Sequence, residues 1–228
     1  MGWKQRFFED EEALVGIIGW YRRWQLLRPT ANFCLVKLAQ LQWRNKEHAK
    51  ALASIDEAVV MARVGWYERP ERHGRLLAWA LIVQAGIRDD LGRPNRVLDS
   101  AQEAEDVARV AAETAPKKAV PLLQQARLVR AGAYYELDRF AEALVVTRRT
   151  VRTARSVYAE QPSVEAGRML GAALGQQGVV EAALDRIDDA IGSLDEALSV
   201  QERFEVSAKS VETIRRVRGE CLDRRARS

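Results

Sequence analysis

The 228 residues carry a net charge of +4, with 47% apolar and 30% charged side chains, a balance that excludes an intrinsically disordered chain and suffices to build one large domain or two small ones. No apolar run approaches the roughly 20 residues of a membrane-spanning helix, since LVGIIGW at 14–20 is short and flanked by charge. The mild positive charge is weak evidence for a nucleic-acid partner.

The start, MGWKQRFFEDEE, lacks the apolar stretch and small-residue cleavage site of a secretion signal, so the expected location is cytoplasmic. Cys34 and Cys221 lie far apart without CxxC spacing and are expected to be buried free thiols.

In chain order, residues 7–27 read as one amphipathic helix with Ala13, Ile17, Trp20, Trp24 and Leu27 on a stripe. It is either a cap or the second helix of a unit whose first helix is missing. From Pro29 onward a pattern recurs: a helical stretch, a short break, a second helical stretch. Pro70, Pro116 and Pro162 stand 46 residues apart, where proline closes one helix and opens the next. The breaks are expected at WRNKEH around Asn45, LGRPNR around Gly92, ELDR around Asp138 and QQGVVE around Gly178. The predicted units are 31–69, 70–115, 116–161 and 162–200, followed by a highly charged capping helix over 201–225.

After each break compact residues recur at offsets of four and then three, on one helix face. They are Ala51, Ile55 and Ala58; Val97, Ala101 and Ala104; Ala143, Thr147 and Thr150; and Ala183, Ile187 and Ala190. Twelve residues upstream of each set the first helix offers Ala39, Ala85, Ala131 or Gly171. Small side chains facing small ones let the two helices of a hairpin pack closely.

This pattern, clearest in LVRAGAYYELDRFAEAL and MLGAALGQQGVVEAAL, resembles the tetratricopeptide repeats over about residues 31–200. The units are longer than the family's roughly 34 residues. The tyrosine expected three places after the small residue appears only as Tyr134, with Gln42, Arg88 and Leu174 in the matching places. The resemblance implies an all-α fold, a right-handed solenoid of antiparallel helix pairs with flanking capping helices in a single domain over 1–228. HEAT-like pairs or an irregular helical bundle remain the alternatives.

The resemblance also implies where a partner binds, on the face of the first helices opposite the hairpin packing. In the first unit that face holds Phe33, Lys37, Gln40, Trp43 and Arg44, and in the second Trp79, Ile82, Val83, Asp89 and Asp90. The third offers Gln125, Leu128, Tyr135 and Glu136, and the fourth Glu165, Arg168, Met169 and Gln176. Apolar anchors among scattered charges suit a protein or peptide partner. For each apolar residue the competing use is packing between units.

Nothing in the sequence assembles a catalytic constellation. His48 and His73 are isolated near helix starts, and HExxH, GxSxG, P-loop and GxGxxG patterns do not occur. The expected function is therefore a non-catalytic binding scaffold or adaptor without metal or cofactor. One alternative is a ligand-sensing regulatory domain of a larger regulator. Another, less favoured, is nucleic-acid binding through the arginines of TRRTVRTARS and IRRVRGECLDRRARS. The terminal helices are the surfaces through which copies of the chain would self-associate.

Overall fold

Four turns of one backbone design set the architecture. Lys46, Gly92, Asp138 and Asp185 all adopt positive φ, between 56° and 64°. The residue after each donates its N–H to the carbonyl five places back: Glu47 to Gln42, Arg93 to Arg88, Arg139 to Tyr134 and Arg186 to Glu181, at 2.8–3.1 Å. This left-handed closure ends the first helix of each pair and, after three residues, starts the second in the reverse direction.

The computed structural model describes residues 14–16, 18–19, 28–204 and 208–227, and these are all-α. The helices are α1 Arg28–Arg44, α2 His48–Glu68, α3 Pro70–Asp90, α4 Pro94–Thr114, α5 Pro116–Glu136, α6 Phe140–Glu160, α7 Val164–Ala183, α8 Ile187–Arg203 and α9 Ala208–Arg227. Pro70 and Pro94 take first-turn positions, where the missing N–H costs no helical bond. Single residues, Arg69 and Ala115, separate one pair from the next. The third such junction is longer, Gln161–Ser163, and there Ser163 caps α7 by accepting the Ala166 N–H at 3.1 Å.

The chain divides into two compact units, Met1–Val129 and Arg130–Ser228. In the first, α1 packs on α2, α2 on α3, α3 on α4, and α1 also meets α3. In the second, α6 packs on α7, α7 on α8, and α9 on both α7 and α8. The core of the first unit includes Leu14 and Ile18, one turn apart on the helical N-terminal stretch. The predicted stripe of Ala13, Ile17, Trp20, Trp24 and Leu27 lies outside the described residues.

The small-on-small packing appears with one correction. Ala51, Ile55, Ala58, Val97, Ala101, Ala104, Ala143, Thr147 and Thr150 are all buried at 1% exposure or less. Thr147 and Thr150 satisfy their hydroxyls on the carbonyls of Leu144 and Val146 in their own helix. The fourth set is different. The break at Gly178 does not exist, because QQGVVE runs through the interior of α7 and the chain turns at Leu184–Arg186. Ala183 is exposed and Ile187 half-buried. The true set is Ala190, Leu194 and Ala197, each at 0% exposure. Its upstream partner is Gly178, equivalent to Ala39, Ala85 and Ala131. The extra length at Gln161–Ser163 puts this last turn 47 residues after Asp138 rather than 46.

With the register corrected, the family's tyrosine position reads Gln42, Arg88, Tyr134 and Glu181, with Glu181 replacing Leu174. In three pairs that side chain bonds a serine twelve residues on. Ser54 donates to Gln42 at 2.9 Å, Arg88 donates to Ser100 at 2.5 Å, and Ser193 donates to Glu181 at 2.7 Å. A polar crosslink thus joins the two helices of a hairpin where the family places an aromatic ring.

Candidate functional site

In the first unit, α1 and α3 lie side by side. Along α1 the positions 33, 37, 40 and 43 recur at helical spacing on the face toward α3. Phe33 and Trp79 meet with ring centroids 5.5 Å apart and planes tilted by 40°. The Lys37 ammonium rests over both rings, 5.1 Å from the Trp79 centroid and 5.7 Å from that of Phe33, and donates to Gln40 Oε1 at 3.5 Å. Two turns on, Trp43 Nε1 donates to Asp90 Oδ2 at 2.7 Å.

Trp43 reaches α3 because Gly86 has no side chain. A Cβ there would stand 2.4 Å from the indole Cη2. Sequence reasoning passed over Gly86, although QAGIR and RAGAY place a glycine in the same slot after Ala85 and Ala131. Phe33, Lys37, Gln40, Trp43 and Trp79 are half-buried, while Arg44, Asp89 and Asp90 are exposed at the C-terminal ends of their helices. Partial desolvation at the helix end, and then the neighbouring Asp90, raise the Asp89 carboxyl above its ordinary value.

Two of the predicted face residues are core instead. Ile82 and Val83, at 5% and 4% exposure, belong to the apolar cluster that also holds Leu77 and Leu81. Arg88 likewise turns inward. It bonds Ser100, lies 3.7 Å from Asp56, and shares that aspartate with Gln84, whose amide donates to it at 2.6 Å. Burial holds the Arg88 guanidinium below its ordinary value despite Asp56. Farther along the first unit, Gln125 is exposed and Leu128 half-buried on α5.

In the second unit Tyr135 packs against Phe140, centroids 5.3 Å apart, and Glu136 is exposed. Gly132 leaves room for the Gln176 amide, whose nitrogen lies 3.4 Å from where a Cβ would stand. Gln176 keeps its place on the predicted face. Glu165, Arg168 and Met169 do not, because the misread break displaced them by two turns toward the start of α7. The equivalent positions are Ala172, Gly175, Gln176 and Ala183, and the repeated LDR at 137–139 and 184–186 was the signal for that register.

Most arginines of the two clusters are tied to carboxylates. Arg155 makes a bidentate pair with Glu196, as Arg63 does with Glu103, and Arg148 lies 3.7 Å from Glu181. On α9, Arg215 pairs with Glu202, Arg216 with Glu220, Arg218 with Asp195, Arg224 with Asp185 and Arg225 with Asp188. His73 packs its ring against Gly65. Among the described residues no His, Cys, Asp and Glu side chains gather as three or more potential metal ligands, and no helix is long and apolar enough to cross a membrane.

No family model and no curated protein sequence matches the chain. Its fold does match solved structures. The apo form of RapI superposes with a TM-score of 0.67 at 14% identity, over 93% of this chain and 55% of that one. A Rap protein complexed with Competence and Sporulation Factor gives 0.61 at 16% identity, over 87% and 53%. BtubC (BKLC) from P. vanneervenii gives 0.60 at 14%, over 100% and 91%. The chain thus spans about half the length of the two Rap chains. At such identities the likeness is one of fold: an all-α helical repeat of tetratricopeptide type.

Proposed function

We propose that this chain is a non-catalytic helical-repeat scaffold that recognises a protein or peptide partner on the face shared by α1 and α3. The observation that carries this reading is the half-buried pair Phe33–Trp79 with Lys37 laid over both rings. A fixed aromatic platform offers apolar contact at little entropic cost, and its amphipathic rim supplies directional bonds. Pairing of Arg155, Arg218 and Arg224 with carboxylates counts against the nucleic-acid alternative. Two buried free thiols fit a reducing, cytoplasmic location.

A second reading, a ligand-sensing regulatory domain, draws on the fold likeness to a Rap protein that was solved with Competence and Sporulation Factor. The two readings share the same face and differ in whether occupancy changes the protein's shape.

The test is partner capture from a cell extract by the wild type and by Phe33→Ala/Trp79→Ala. The expected result is loss of the captured species with the helical circular-dichroism signal intact and melting lowered by only a few degrees. Unchanged capture would remove the reading. Loss of capture together with loss of helicity would show the two rings to be core.

A further inference from the structure

The α1–α3 face is electrically polar along its length. Elsewhere in the first unit, charges that cross between helices are paired: Arg63 with Glu103, Arg88 with Asp56, and Arg127 with Glu105. On this face opposite charges are held apart. Lys37 leans on two rings and on Gln40, and none of the described carboxylates forms an ion pair with it. Asp90 accepts from the neutral Trp43 indole, and among the described residues neither Asp90 nor Asp89 beside it has a cation partner. Trp43 stands six residues beyond Lys37, so the cationic and acidic ends are about 9 Å apart along the helix. An extended peptide covers that distance in about three residues.

Resting on the partner-binding reading above, we infer that the occupant is an extended peptide bearing a carboxylate and a Lys or Arg about three residues apart. The carboxylate sits at Lys37 with an adjacent apolar side chain against Trp79, and the cation sits at Asp89 and Asp90. The ammonium of Lys37 is already stripped of part of its water by the rings, so an incoming carboxylate meets a charge with less screening than one in bulk solvent. A cation at the other end relieves the destabilised Asp89 carboxylate.

The experiment is selection of a random dodecapeptide phage library on the immobilised full chain, read by sequencing. Enriched sequences are expected to carry an acid and a base three or four positions apart at least tenfold more often than the unselected library. Lys37→Glu should shift the enriched set from acid-plus-base to two bases, and Asp90→Lys should shift it to two acids. Lys37→Met, which keeps an apolar stem over the rings, should drop the acid alone, and circular dichroism checks that each variant is folded. Enrichment without the charge pair, or with a pair indifferent to these substitutions, overturns the inference and leaves the peptide-binding reading standing. If no peptide enriches above a bare surface, that reading falls, and the inference with it.

Discussion

The Cβ that an alanine would bring to Gly178 falls 2.5 Å from Cγ of Leu194 and 3.2 Å from the carbonyl oxygen of Ala190. Two helices approach closely there because one of them has no side chain. Gly178→Ala gains helix propensity, but it pushes against the branch point of a fully buried leucine and against backbone. The expected outcome in denaturant titration is a loss of about 1–2 kcal/mol. Gly192→Ala provides the opposite sign. Gly192 is exposed inside α8 with nothing within 4 Å of its Cβ position, so that variant should gain about 1 kcal/mol. Equal effects from the two substitutions would contradict the packing described for α7 and α8.

The same glycine explains what could be read from sequence and what could not. Periodicity of compact residues exposed the helix pairs, and three of the four turns lie where polar residues and glycine placed them. Gly178 was misread because glycine more often ends a helix than serves as its closest contact, and local composition does not separate the two uses. Only the repeated LDR distinguishes them, and its spacing is disturbed by the longer Gln161–Ser163 junction. The error carried over to Glu165, Arg168 and Met169. Ile82 and Val83 were misplaced for another reason. Buried residues crowd most of the circumference of α3, so its pattern lacks a clean apolar stripe from which to choose a free face. Phe33, Lys37, Trp43 and Trp79 came together because their spacing on α1 and α3 was right even though the contacts between them were invisible.

Gly92 tests the turn design. It has positive φ with open space around its Cβ position, so Gly92→Ala isolates the backbone term. A loss of about 1 kcal/mol is expected by thermal or chemical denaturation. Lys46 holds the equivalent conformation at φ 64° with a side chain that disfavours it, so Lys46→Gly should gain about 0.5 kcal/mol after the added chain entropy is offset. If Lys46→Gly is strongly destabilising, the lysine has a role in the turn that its backbone conformation does not convey.

Arg127 and Glu105 form an ion pair at 3.0 Å with both side chains only 5% exposed. Removing one member takes the nearest opposite charge away from a buried group, so Arg127→Met should cost about 3–5 kcal/mol. Adding Glu105→Leu removes the buried carboxylate as well and should recover at least half of that loss. A double variant no more stable than the single one would mean that the pair's stabilisation comes from its geometry rather than from mutual neutralisation.

Cys34 and Cys221 link the core to pH. Both are 1% exposed, and burial raises each thiol above its ordinary value; at Cys221 the nearby Arg224 opposes that shift and Glu220 adds to it. The unfolded chain begins to lose these protons near pH 8.5, while the folded chain still holds them. Above that pH the unfolded state binds fewer protons than the folded state, so stability falls as pH rises, by up to about 1.4 kcal/mol per unit for each thiol. Melting temperature should therefore decline between pH 8 and pH 10, and Cys34→Ala/Cys221→Ala should flatten that decline. At pH 7 a thiol reagent should label both cysteines in denaturant and neither in the native protein. Rapid labelling of the native chain would show that these thiols reach solvent and would remove the basis for the alkaline effect.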